Sequence, residues 1–75
     1  MNKHILMVID HQLNPDKYTQ EDLDKNAASA YVAYDAAYDA AYAAASANAT
    51  YWLNRYFRLS GENKQDYIDA INKDK

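Results

Sequence analysis

YVAYDAAYDAAYAAASANATYW, residues 31–52, carries alanine at almost every second position, tyrosine at every third or fourth, and only two charges. Thirteen of the 23 residues from 27 to 49 are alanine, the strongest helix former, so local propensity makes the stretch helical. How far that helix runs decides the fold. Upstream, Thr19 is placed as an N-cap, with Asp22 three residues on in a variant of the capping box and Tyr18 and Leu23 spaced as a hydrophobic staple. Glu21, Asp22 and Asp24 put negative charge in the first turns, where the helix dipole favours it. Downstream, no glycine or proline occurs before Ser60 and Gly61, and Arg55 and Arg58 lie in the last turns as the dipole prefers.

Read whole, the pattern predicts one helix over residues 19–60, about 60 Å long at about 1.5 Å rise per residue. Leu23, Ala27, Tyr31, Tyr34, Tyr38, Ala41, Tyr42, Ala45, Ala49, Trp52, Tyr56 and Leu59 fall on one broad face of it. That face repeats better every eleven residues than every seven, which predicts a nearly straight or slightly right-handed superhelix. The opposite side, with Val32, Ala36, Ala43, Ala47 and Phe57, is also poor in charge. Two short flanking segments have too little surface to cover such a rod, so the reading demands either several copies packed through the Ala/Tyr surface, or a break near residues 46–50 and a helical hairpin. SANAT contains no glycine or proline, and this favours the continuous helix in an oligomeric bundle, with Tyr34, Tyr38, Ala41, Tyr42, Ala45, Trp52 and Tyr56 as the oligomer and core face.

The flanks complete an all-α chain with a single domain. Residues 1–18 read as a helix capped by Asn2 and ended before Pro15, with Ile5, Ile9 and Leu13 on one side; a strand is the alternative, and a lone strand would have to pair with another chain. Residues 61–75 read as a short amphipathic helix with Tyr67, Ile68 and Ile71 together and Asp69 four residues before Lys73.

Composition sets aside several activities. Seventy-five residues leave little room for a sizeable core and a roomy active site together. The absence of cysteine removes disulfide staples and thiolate metal sites and fits a reducing cytoplasm. The apolar run HILMVI is closed by Asp10 and is a poor signal peptide, and Asp39, Ser46, Asn48 and Thr50 interrupt the least polar window well short of a bilayer span. A net charge of -3 argues against direct binding to nucleic acid. His4 and His11, seven apart beside Asp10, lack a third spaced ligand for a metal and read as polar boundary residues. Asp35 and Asp39, four apart, are neighbours on a helix and read as the solvated edge of the rod rather than an acid and base pair. No nucleophile motif or phosphate-cradling glycine loop is present, and nothing calls for a cofactor.

One cluster points outward. YWLNRYFR, residues 51–58, holds the residue types that carry binding hot spots, and Tyr51, Arg55 and Arg58 project away from the expected burial face. They form the candidate partner-binding site, either for protein carboxylates or for a nucleotide with Tyr51 stacking and the arginines on phosphate.

The succession AYDAAYDAAYAAA (33–45), YWLNRYF (51–57), SGENKQDYIDAI (60–71) and a lysine-rich end resembles the small alanine- and tyrosine-rich accessory proteins of T-even-type tailed bacteriophages. The likeness is compositional, covers about two thirds of the chain and transfers no site. It implies a protein made early in infection that binds a host enzyme or defence component stoichiometrically in the host cytoplasm. The expected function is therefore inhibition or modulation by direct binding, with an oligomeric nucleotide sponge or a structural helical spacer as alternatives.

Overall fold

The structure, a computed structural model, describes residues 1–32, 36–46 and 49–73. Among them lie five α-helices and no strand: α1 (Lys3–Leu13), α2 (Gln20–Ala30), α3 (Ala36–Ser46), α4 (Thr50–Ser60) and α5 (Lys64–Lys73), with a 3-10 turn at Pro15–Lys17 between α1 and α2.

The local start and stop signals act as the residues dictate. The Asn2 side chain accepts from the amides of His4 and Ile5 and opens α1, which buries Ile5, Val8 and Ile9 and leaves Leu13 exposed. The strand alternative for this segment is overturned. Thr19 and Asp22 form the reciprocal capping box of α2. Gly61 ends α4 in the left-handed region at φ 75°. In α5, Tyr67 and Ile71 are buried with Ile68 half-buried beside them.

The single long helix over residues 19–60 is contradicted. Its span holds α2, α3 and α4, each of eleven residues. α2 closes at Ala30 with the Tyr31 amide bonded to the Ala27 carbonyl, and Tyr31 and Val32 follow in a turn. α3 then packs against α2, and α4 against α3. The eleven-residue register is therefore broken, with Leu23 on α2, Ala45 on α3 and Tyr56 on α4. Tyr34 and Asp35, and Ala47 and Asn48 of SANAT, lie outside the described residues.

The physical reason is that propensity selects helix but buries nothing, whereas most helical stability in a protein comes from packing an apolar face. Folding the alanine-rich segment onto itself covers faces that a rod leaves in water. α3 is the central element, in contact with α1, α2 and α4. Ala37, Ala40, Ala41 and Ala43 are buried on it, and Ala36, Ala44 and Ala45 are half-buried. A helix apolar nearly all round belongs inside, and methyl side chains let neighbouring helices approach closely. Ile5, Val8, Ile9, Leu53, Tyr56, Tyr67 and Ile71 fill the core around it. The radius of gyration is 11.2 Å, against about 11 Å for a folded chain of this length. The coverage problem that demanded other copies of the chain is thereby met within one chain. No helix among the described residues is long and apolar enough to cross a membrane.

Candidate functional site

α4 is amphipathic in an unusual sense, because both of its faces are rich in large side chains. At about 100° per residue, Tyr51, Trp52, Arg55, Arg58 and Leu59 share an arc of about 120°. Leu53, Tyr56 and Phe57 occupy the opposite side, the first two buried and Phe57 half-buried. Phe57 meets Tyr56 and Tyr67 edge-on, at ring centroids of 5.4 and 5.5 Å, so the inward face is anchored on α5. The outward face is displayed: Tyr51 is 60%, Trp52 37% and Leu59 61% exposed.

The outward side chains are organised among themselves. The Tyr51 and Trp52 rings stand nearly perpendicular, 5.0 Å apart. Arg55 lies 5.8 Å from the centroid of the Trp52 ring and donates through Nη1 to Asp39 Oδ2 of α3 at 2.9 Å. Arg58, also exposed, makes no ion pair among the described residues.

The structure thus brings Tyr51, Arg55 and Arg58 together on one face, as the spacing indicated, and separates their roles. Arg58 is available, whereas Arg55 ties α4 to α3. Trp52, expected on the core face, joins the displayed one. Of the other expected face residues, Tyr56 and Ala41 are buried, Tyr38 and Ala45 half-buried, and Tyr42 exposed. Asp39, expected to be a solvated edge, is the partner of Arg55. Asp35 lies outside the described residues.

Three polar clusters that spacing did not reveal hold the helices in place. Asp10, buried on α1, accepts from Asn14 Nδ2 at 2.8 Å, Lys17 Nζ at 2.6 Å and the Tyr18 hydroxyl at 2.5 Å. Burial pushes its carboxyl up, but the three donors outweigh this and hold it below the usual aspartate range. Asn26, buried on α2, accepts from His4 Nδ1–H and donates to the His4 carbonyl, both at 3.1 Å. His4 is thereby a joint between α1 and α2, and the ring of His11 meets Tyr18 edge-on at 6.4 Å. Glu62 Oε1 accepts from the Tyr56 hydroxyl at 2.6 Å and the Tyr67 hydroxyl at 2.5 Å, and Tyr67 in turn accepts from the Asn2 amide at 2.9 Å. These contacts explain the residues structurally; the signal available in the sequence was only that His4 opens and Asp10 closes the apolar run HILMVI and that Glu62 follows the helix-ending Gly61.

A second surface lies between α2 and α3. An open groove of about 500 Å³ is lined by Ala27, Ala28 and Ala45, by Tyr31, Tyr38 and Tyr42, and by Asp24. The Tyr31 and Tyr38 rings are 5.2 Å apart and steeply inclined at 77°, and Tyr38 and Tyr42 are 6.0 Å apart. This groove exists only because the chain folds back, since on a continuous helix Asp24 and Tyr42 lie about 27 Å apart.

Comparison with protein-family models, curated proteins and solved structures gives no match, so the functional reading rests on the geometry of these surfaces.

Proposed function

We propose that the protein acts without turnover of its own, as a stoichiometric binder of another protein, and that the outward face of α4 is its contact surface. The observation that carries this reading is the display of Tyr51, Trp52, Arg58 and Leu59 on one arc of a helix whose core is supplied by the opposite arc. Exposed tyrosine, tryptophan and arginine are the residues that dominate binding energy when a partner excludes water from them. Their inclusion contributes nothing to the core that Leu53 and Tyr56 already form. The partner surface that fits is apolar with a carboxylate at its edge, opposite Arg58. The resemblance to phage accessory proteins makes a bacterial enzyme or defence component the natural candidate. A nucleotide, with Tyr51 stacking and the arginines on phosphate, is less well served, because Arg55 is already paired with Asp39 and leaves Arg58 to take the phosphate charge.

The test is capture of a stoichiometric partner from bacterial lysate, followed by calorimetry with the wild type and with Tyr51→Ser, Arg58→Ser. Both residues are exposed, so helical content by circular dichroism stays unchanged. Affinity for the captured protein falls about a hundredfold or more if these are hot spots. Equal affinity in the well-folded double variant removes α4 as the contact surface.

A further inference from the structure

The groove between α2 and α3 is a site distinct from the α4 face, and the geometry points to a small quaternary ammonium ion as its ligand. Among the described residues, three aromatic rings and one carboxylate line it. Tyr31, Tyr38 and Tyr42 stand in succession with neighbouring centroids 5.2 and 6.0 Å apart, and the steep inclination of Tyr31 to Tyr38 makes a corner rather than a flat platform. A flat platform stacks a planar base, whereas a corner of rings surrounds a compact, roughly spherical group. The negative π faces of such rings attract a cation held within about 6 Å of their centroids.

Charge selects the sign. Asp24 is the one charged residue among the described residues that line the groove. Its carboxylate is held by the Gln20 amide, Nε2 to Oδ1 at 3.0 Å, and Gln20 also donates to the Ala45 carbonyl across the groove's end. The neighbouring cation, Lys25, is engaged with Glu21 at 3.1 Å rather than with Asp24. Among the described residues the site therefore presents one negative charge and no basic side chain, which repels phosphate and attracts a cation.

The floor selects the kind of cation. Alanine methyl groups of α2 and α3 offer no hydrogen-bond acceptor, so on that side a primary ammonium loses water that only Asp24 and tyrosine oxygens among the described lining residues could replace. A quaternary ammonium sheds its shell readily and packs its methyl groups against alanine and tyrosine, with its charge distributed toward the rings and Asp24.

Choline is a suitable probe, and its neutral isostere 3,3-dimethyl-1-butanol has the same shape without the charge. In a nitrogen–proton correlation titration of the full chain, choline shifts amides of α2 and α3 saturably, and the isostere binds at least tenfold more weakly. Tyr31→Leu and Tyr42→Leu each weaken choline binding severalfold with helical content unchanged, since the two side chains are 56% and 58% exposed. Asp24→Asn weakens choline and leaves the isostere unaffected. Equal binding of the isostere, absence of saturable shifts, or indifference to both tyrosine changes overturns the assignment. Shifts of the same amides on raising protein concentration without choline give the groove to a second copy of the chain and also overturn it.

Discussion

Asp10 and Glu62 each gather several donors onto one carboxylate, and both make stability depend on pH in a direction that can be worked out. The Asp10 carboxyl is held below its ordinary value because the donors from Lys17, Tyr18 and Asn14 outweigh the opposing effect of burial. A group depressed in the folded state contributes fully above its unfolded pKa and loses that contribution as pH falls through the folded value. Thermal stability should therefore decline as pH drops below about 4, and Asp10→Asn should flatten that decline while costing about 2 kcal/mol at neutral pH. A decline of equal steepness in the variant would assign the acid sensitivity elsewhere. At the alkaline end the sign reverses. Burial first, and hydrogen bonding to Glu62 second, push the Tyr56 and Tyr67 phenols up. Their contribution is complete below the unfolded phenol value and is lost above about pH 10. Tyr67→Phe, which removes the bond to Glu62 and the acceptor for the Asn2 amide, should lower the melting temperature and reduce the alkaline loss; an unchanged alkaline profile would contradict this. Neither cluster was legible in advance, because Asp10 was visible only as the end of HILMVI and Glu62 as a loop residue. A carboxylate's partners at separations of four to eight residues depend on where the turn after α1 and the turn after α4 place them.

At the level of elements, ends were readable and lengths were not. Thr19 with Asp22, Asn2, and Gly61 each act through backbone groups within four residues, so sequence alone specifies them. Gly61→Ala meets no atom within 4 Å, and its cost is the left-handed backbone alone, about 1 kcal/mol in thermal or denaturant unfolding. A loss well beyond that would mean that Gly61 serves packing as well. The stretch from α2 to α4 behaves differently, because alanine is as suited to the buried middle of a bundle as to a long rod. The same letters that raise helix propensity permit close approach of helices, and the choice between the two outcomes depends on Ile5, Val8 and Ile9 arriving from α1. Ala40 is completely buried on α3, so Ala40→Leu should cost about 1 to 3 kcal/mol through overpacking. A neutral or stabilising outcome would show that α3 is not enclosed. The exposure of Tyr51 and Arg58 was legible from spacing, since a helix face is set within two turns, whereas Trp52, expected in the core, shares that face and Arg55 is half-buried against Asp39. The pairing of Arg55 with Asp39 was not legible, because it joins two helices that a continuous reading had merged.

For the molecule as a whole, both candidate surfaces follow from one event, the folding of the alanine- and tyrosine-rich segment onto α1. It brings Asp24 and Tyr42 to one groove, covers the methyl faces that a rod would expose, and turns the Tyr51 to Leu59 arc of α4 outward. The most direct test is an intrachain distance. Spin labels at Glu21 and Ser60, both exposed, read it by double electron–electron resonance, with labelled protein diluted in unlabelled protein so that only pairs within one chain contribute. The folded chain measures 29 Å along its longest principal axis, and a short distance on that scale is the predicted result. A continuous helix separates the two positions by about 58 Å, and a distribution centred there would contradict the account.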